Sequence, residues 1–141
     1  MATIIKFFYL KPCPALRERN KLKALIYSLF KSEKKDLANL SYIFCSDDYL
    51  LKINKEYLKH DYYTDIISFD LSDSPKTIVG EIYISVDRVW ENAKKHRVSI
   101  KEELHRVVFH GALHLCGYRD KTPNDKAEMT KKENKYLKRY L

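Results

Sequence analysis

Two periodicities of apolar residues divide the chain into strands and helices. Short runs rich in β-branched and aromatic residues predict strands at residues 3–10, 40–45, 64–70 and 78–86. After the first strand, apolar residues recur near the helical period and predict an amphipathic helix of about 14 residues. Its buried face is predicted to comprise Leu22, Leu25, Ile26, Leu29 and Phe30.

Other helices are predicted from their end signals. Ser46 and the two aspartates after it are typical of the start of a short helix. The inward face of this helix is predicted to comprise Leu50, Ile53 and Tyr57. A helix is predicted over residues 87–97, and Thr122, which precedes a proline, begins the last one. This order predicts a single α+β domain over residues 1–141, with a mixed sheet of about four strands packed against helices.

The helix between residues 99 and 117 is predicted to lie at the centre of the fold. Ser99 and Glu102 form a capping-box pattern, and Gly117 can adopt the left-handed conformation that ends a helix. Its apolar stripe is predicted to comprise Ile100, Leu104, Val107, Val108 and Leu115. A helix that is apolar over much of its surface is expected to be covered by other elements.

The same helix carries a pattern of metal ligands. His110 and His114 are four residues apart, so both imidazoles leave one helix face and can share an ion. Asp120 follows Gly117, where the chain can turn back and offer a carboxylate as the third ligand. Three protein ligands leave one coordination position open, which is typical of catalytic zinc, and we predict one zinc ion per chain. The alternative is that the two histidines are ordinary helix residues.

The spacing is that of the metzincin zinc helix, with two differences. Asp120 stands where those enzymes have their third histidine, and its carboxylate oxygen still suits zinc. Gly111 stands where they have the glutamate that acts as general base. Because glycine cannot remove a proton from water, the pattern retains metal binding and disfavours peptide hydrolysis.

Composition places the chain among globular proteins, since 45% of its 141 residues are hydrophobic and 33% are charged. It contains neither a long apolar run nor a basic leader, so we expect a cytoplasmic protein without a membrane helix or a signal peptide. The three cysteines are scattered, as in a reduced protein. Cys116 is expected to pack in the core rather than bind metal.

The formal net charge of +8 favours a polyanionic partner such as RNA. Neither an aromatic RNA-binding signature nor a sequence-reading module is visible in the chain, so RNA binding is expected to be mainly electrostatic. The alternative is that much of this charge lies on solvated helix faces. The lysines that support this alternative include Lys131, Lys132, Lys135 and Lys138.

Three blocks of sequence, by their order and spacing, resemble the YbeY family of bacterial rRNA maturation factors. They are Asn-Lys-Glu-Tyr at 54–57 with Asp-Tyr-Tyr-Thr-Asp-Ile-Ile-Ser-Phe at 61–69, Gly-Glu-Ile at 80–82, and His-Gly-Ala-Leu-His-Leu-Cys-Gly-Tyr at 110–118. The resemblance runs over nearly the whole length. It implies a cytoplasmic, single-strand-specific endoribonuclease with one zinc ion, acting on the 3′ end of 16S rRNA in the small ribosomal subunit and in ribosome quality control. It implies neither a DNA nor a membrane partner.

The chain departs from the family pattern close to the ligands. The family's third histidine corresponds to Asp120, and its usual aspartate corresponds to Arg119. A common arginine after the first block corresponds to Leu58, and Glu81 replaces a common aspartate. The residues that could take over from the missing arginine are Lys59, Arg106 and Arg119.

Three residues are candidates for contacts with substrate. Arg119, beside the ligands, is the best candidate for a phosphate contact. Asp65 and Ser68 are candidates for orienting a ligand or contacting substrate, and the alternative is that they only cap the end of a buried strand. Bound zinc would lower the pKa of water and polarise a phosphoryl oxygen. The sequence does not identify the proton acceptor, which is either a nearby carboxylate or the phosphate itself.

Two other functional classes are compatible with the pattern. The chain could be a ribosome-assembly or RNA-binding factor whose metal site is structural or weakly active. It could also be a metallohydrolase of peptides or small substrates, which Gly111 and the basic charge disfavour.

Overall fold

The computed structural model describes residues 2–141 as four strands and five helices. In chain order these are β1 (Ile4–Tyr9), α1 (Arg19–Ser32), β2 (Asp36–Cys45), α2 (Asp47–Leu58), β3 (Ile66–Asp70), β4 (Thr77–Ser85), α3 (Val86–His96), α4 (Ile100–Leu115) and α5 (Pro123–Tyr140). Each element predicted from the sequence corresponds to one of these, with ends that differ by a few residues.

The strands form one mixed sheet in the order β1-β2-β4-β3. β1, β2 and β4 are parallel, and β3 lies antiparallel to β4 at the edge of the sheet. The connection from β1 to β2 contains α1, as a parallel pair requires. The predicted α+β fold with a four-stranded mixed sheet is confirmed.

β2 begins earlier than predicted, at Asp36 rather than at residue 40. Asp36 pairs with Thr77 of β4, and Leu37 is buried in the main core. The register shifts between Leu37 and Asn39, which interrupts the alternation of buried and exposed residues. Because the alternation breaks there, the apolar pattern alone did not extend the strand.

α2 begins as predicted, since the Ser46 hydroxyl accepts a hydrogen bond of 3.1 Å from the Tyr49 N–H. The predicted inward face is wrong at Tyr57, which is 64% exposed. The Tyr57 ring meets the sheet only edge-on, with 6.0 Å between its centroid and that of Phe69. The buried residues of α2 are Leu50, Ile53 and Asn54. A polar side chain therefore occupies the inward position one turn after Leu50.

The main core lies between one face of the sheet and the helices α1, α4 and α5. α4 is its centre, because it contacts both other helices as well as α3, β3 and β4. The buried residues of α4 are Glu103, Leu104, His105, Val107, Val108, Phe109, Gly111, Ala112, Leu113 and Leu115. The predicted central position of this helix is confirmed.

The two ends of α4 are defined by local hydrogen bonds. At the start, the Ser99 hydroxyl accepts from the Glu102 N–H at 3.0 Å, but within residues 2–141 the Glu102 carboxylate returns no bond, so the predicted capping box is half formed. At the end, Gly117 has a φ of 104° and the Tyr118 N–H donates to the Leu113 carbonyl at 3.1 Å. This left-handed turn reverses the chain after α4, as predicted.

α4 packs very closely on the sheet at Gly111. A Cβ atom at this position would lie 2.8 Å from Ile66 Cδ1 and 2.9 Å from Ile82 Cδ1, which is closer than packed atoms approach. A side chain at position 111 would therefore enter the core between helix and sheet. The glutamate that peptidases carry after their first histidine has no room here.

Glu33, directly after α1, joins three parts of the structure. Its carboxylate accepts hydrogen bonds from Tyr118 Oη at 2.6 Å, Tyr136 Oη at 2.7 Å and Lys132 Nζ at 3.3 Å. Burial opposes ionisation of Glu33, but these donors outweigh it and hold the pKa of the carboxyl below its usual value. The network ties the end of α1 to α5 and to the segment after α4.

The three cysteines are free, as the sequence predicted, and all of them are buried. Cys116 lies in the main core, and burial raises the pKa of its thiol to about 12. A thiol of this kind stays protonated near neutral pH, which suits packing and not metal binding. Over residues 2–141, none of the helices has both the length and the apolar character needed to cross a membrane.

Candidate metal centre

α4 presents His110 and His114 from one face, and the turn at Gly117 brings Asp120 to them. Asp120 Oδ2 lies 3.3 Å from His110 Nε2 and 3.4 Å from His114 Nε2. One donor atom from each of the three residues lies within 4.8 Å of the other two. The structure therefore brings together the three side chains that the sequence named as ligands.

This donor set fits a divalent metal ion. Two imidazole nitrogens and one carboxylate oxygen, with a fourth position open, are typical of catalytic zinc. All three side chains line a cavity of about 540 Å³, so an ion held by them would face a space that substrate can enter. The carboxylate oxygen also makes the set compatible with other divalent ions.

Glu133 of α5 belongs to the site and was missed by the sequence analysis. Its carboxylate lies 2.5 Å from His110 Nδ1, and Arg106 Nη1 donates to it at 3.2 Å. A carboxylate on Nδ1 orients the ring and leaves Nε2 for the metal. The available signal was a carboxylate on the apolar stripe of α5, between Met129 and Tyr136.

The two histidines have opposite pKa shifts. Burial lowers the pKa of His110, but the hydrogen bond and charge of Glu133, together with the charge of Asp120, outweigh it and the net shift is upward. The pKa of His114 is lowered by burial and by the neighbouring His110. A metal ion must compete with the proton on His110, so acid opposes metal binding.

Asp65 and Ser68 line the same cavity as the ligands. Burial raises the pKa of Asp65, and Asn92 Nδ2 lies 3.5 Å from its Oδ2. The backbone carbonyl of Asp65 also accepts from the Ser85 N–H at 2.9 Å. The backbone of Asp65 therefore extends the pairing of β3 with β4, while Asp65 also lines the cavity.

The basic residues proposed to contact phosphate differ in their position relative to the cavity. Arg119 is exposed and is not one of the residues that line the cavity, and the same is true of Lys59. Arg106 lines the cavity and pairs with Glu133. Leu58, at the position of the family's common arginine, also lines it. Arg106 is thus the guanidinium that the fold places beside the ligands.

The family model described as Endoribonuclease YbeY matches residues 14–141. A protein of that name from Cytophaga hutchinsonii is 49% identical over 122 residues, which cover 86% of this chain and 85% of the relative. Another from Flavobacterium psychrophilum is 48% identical over 123 residues, covering 87% of each chain.

The fold has a counterpart among solved structures. The solution structure of a Thermotoga maritima protein superimposes with a TM-score of 0.69 and 29% sequence identity. The superposition covers 98% of this chain and 89% of that chain. Because the match in sequence includes the helix that presents His110 and His114, and because it extends over most of the relatives' length, the chain belongs to the YbeY family of endoribonucleases.

Proposed function

We propose that this chain is a zinc-dependent endoribonuclease that cleaves single-stranded RNA and matures the 3′ end of 16S rRNA in the small ribosomal subunit. The observation that carries the proposal is the convergence of His110, His114 and Asp120 on a cavity large enough for a nucleotide. The proposal includes a cytoplasmic location and a role in ribosome quality control, which the resemblance to the family implies.

His110, His114 and Asp120 would hold one zinc ion per chain. When bound, zinc lowers the pKa of water and polarises a phosphoryl oxygen, which are the two requirements of phosphodiester hydrolysis. Glu133 engages His110 Nδ1 and so presents Nε2 to the ion. Arg106 holds Glu133 in place, so both residues act by positioning.

Asp65 is the carboxylate to which we assign proton transfer. It lines the cavity, and burial raises the pKa of its carboxyl, which makes the carboxylate a stronger proton acceptor. Of the carboxylates in contact with His110, Asp120 is a candidate metal ligand and Glu133 is already engaged by His110 and Arg106. We assign Ser68, which lines the same cavity, to contact with substrate.

The test of the function is a cleavage assay on single-stranded and duplex RNA, with chelator and with zinc added back. Cleavage of the single strand that stops with chelator and returns with zinc supports the proposal. The assay is repeated with other divalent ions, since the oxygen ligand Asp120 is compatible with them. In cells whose only copy carries His114→Ala, unprocessed 3′ ends of 16S rRNA are expected. Normal 3′ ends in those cells would refute the role in maturation.

The alternative is an assembly factor whose metal site is structural or weakly active. Membership of an endoribonuclease family does not favour it, and the open cavity beside the ligands is a feature that a purely structural metal does not need. Normal rRNA maturation by a protein without cleavage activity would support this alternative.

Asp120→His is expected to retain metal, because an imidazole at this position gives the three-histidine set that is common in zinc enzymes. Asp120→Ala is expected to weaken metal binding by more than roughly 100-fold. Removal of a group that only orients a ligand costs roughly 10–100-fold, and Asp120 is proposed to bind the ion directly. Competition with a zinc-binding dye measures the zinc affinity of both variants. Metal loss in Asp120→His together with full retention in Asp120→Ala would show that the third donor lies elsewhere.

Arg119→Ala is expected to weaken single-strand binding and to reduce the magnitude of the log–log salt slope by about 0.7, which corresponds to one phosphate contact. Arg119 is exposed and directly precedes the candidate ligand Asp120, so we expect it to contact the RNA backbone at the edge of the cavity. Lys135→Ala is the matched control, since Lys135 is an exposed cation on α5. Equal slopes for the two variants would remove Arg119 from the site.

A further inference from the structure

The lining of the metal cavity is acidic, although the chain as a whole is basic. Its carboxylates belong to Asp65, Asp70, Glu103, Asp120 and Glu133. Arg106 contributes the one guanidinium of the lining, and it is paired with Glu133. Apart from the proposed metal ion, these groups repel phosphates more than they attract them. RNA that enters the cavity therefore needs a source of affinity besides the charge of the lining.

Two aromatic rings lie on the wall of this cavity, in the loop between α2 and β3. His60 and Tyr62 both line it, and their rings are stacked, with 5.1 Å between centroids and 20° between planes. Tyr62 Oη lies 3.0 Å from His60 Nδ1, so a hydrogen bond also joins the pair. We refer to His60 and Tyr62 as the aromatic platform.

The platform is held in place and still exposed. Tyr62 is 56% exposed, which leaves much of a large apolar ring in water beside a cavity. Beneath it, the 1% exposed side chain of Asn54 donates from Nδ2 to the Tyr62 carbonyl at 2.9 Å. The backbone carbonyl of Asn54 accepts from the backbone N–H of His60 at 3.1 Å. A buried amide thus preorganises the loop, which lowers the entropy cost of binding a ligand there.

We infer that the aromatic platform is a stacking subsite for an unpaired base of the RNA strand that enters the metal cavity. The inference rests on the proposed function, because it takes the ligand to be the RNA substrate. Stacking on aromatic side chains is the usual way in which proteins bind unpaired bases, and it needs no positive charge. A base within a duplex is stacked on its neighbours and cannot reach the ring. The platform therefore selects single strands by itself.

The test compares binding of a short fluorescein-labelled single strand, with phosphorothioate linkages that resist cleavage, to zinc-loaded Tyr62→Ala, Tyr62→Phe and wild type. Tyr62→Ala is expected to bind roughly tenfold more weakly, the order of magnitude of one lost stacking contact. Tyr62→Phe keeps the ring and is expected to bind like wild type. Tyr27→Ala is the matched control, because Tyr27 is a comparably exposed tyrosine on α1. Duplex RNA is expected to bind all four proteins equally.

Wild-type binding by Tyr62→Ala, or an equal loss in Tyr62→Phe, would overturn the subsite. A loss of duplex binding as large as that of single-strand binding would overturn it as well. The cleavage assay on wild-type protein separates the two proposals. Absence of zinc-dependent cleavage refutes the proposed function, whereas the subsite is decided by the single-strand affinities of the variants.

Discussion

Replacing both His110 and His114 by alanine is expected to reduce the metal content from about one ion per chain to near zero and to abolish RNA cleavage. The variant keeps only Asp120 of the three donors, and a single carboxylate does not hold zinc. Metal ions stabilise the charge of a phosphoryl-transfer transition state by several kcal/mol, which corresponds to at least roughly a 10³-fold loss of rate.

Elemental analysis of the purified proteins measures the metal content, and a gel-based assay measures cleavage. His96→Ala is the matched control, because His96 lies at the end of α3 and outside the set of converging donors. Circular dichroism checks the fold, since the double variant also removes the bond between His110 and Glu133. Equal metal in the double variant and the control would disprove the site.

Glu33→Ala is expected to lower the free energy of unfolding by roughly 1–3 kcal/mol, the cost of leaving partly buried hydrogen-bond donors without their acceptor. The Glu33 side chain is 9% exposed and accepts from two tyrosine hydroxyls and Lys132. Without it, these donors remain near the core with no acceptor. The loss is a large share of the stability that a domain of this size usually has.

Urea unfolding near neutral pH measures the change, with Glu128→Ala as the control because Glu128 is an exposed carboxylate on α5. The folded-state pKa of Glu33 lies below that of the unfolded chain, which is about 4.3. Its contribution is therefore present above that pH and is lost as the pH falls through the folded-state value. Equal stability of the two variants, or a difference that persists in strong acid, would contradict the role of the network.

The elements and the grouping of the three candidate ligands could be predicted because their causes are local in sequence. His110 and His114 lie one turn apart in any helix, and Gly117 adopts the left-handed conformation just after the end of α4. The strands followed in the same way from runs of apolar residues. Errors occurred where tertiary packing decides, as at Tyr57, where the buried face of α2 contains Asn54 instead.

The rest of the site depends on contacts between distant elements. Glu133 meets His110 only because α5 packs on α4, and no spacing within either helix encodes that contact. Gly111 was interpreted as the loss of a catalytic base, whereas the structure shows a packing requirement against Ile66 and Ile82. The sequence did not predict the aromatic platform, because no motif marks it. Its two rings meet only in the loop conformation that the Asn54 hydrogen bond stabilises.

The location of Glu133 on α5 has a consequence for synthesis. Since α5 follows Asp120 in the chain, a ribosome translates all three candidate ligands before it translates Glu133. A nascent chain that has just gained Asp120 also lacks Tyr136, whose hydroxyl binds Glu33, so α1 and α4 are not yet joined through α5. His110 acquires its orienting carboxylate only after α5 has emerged from the exit tunnel and docked. The site is therefore complete only when α5 has docked on α4, and not when the last of the three candidate ligands has been translated.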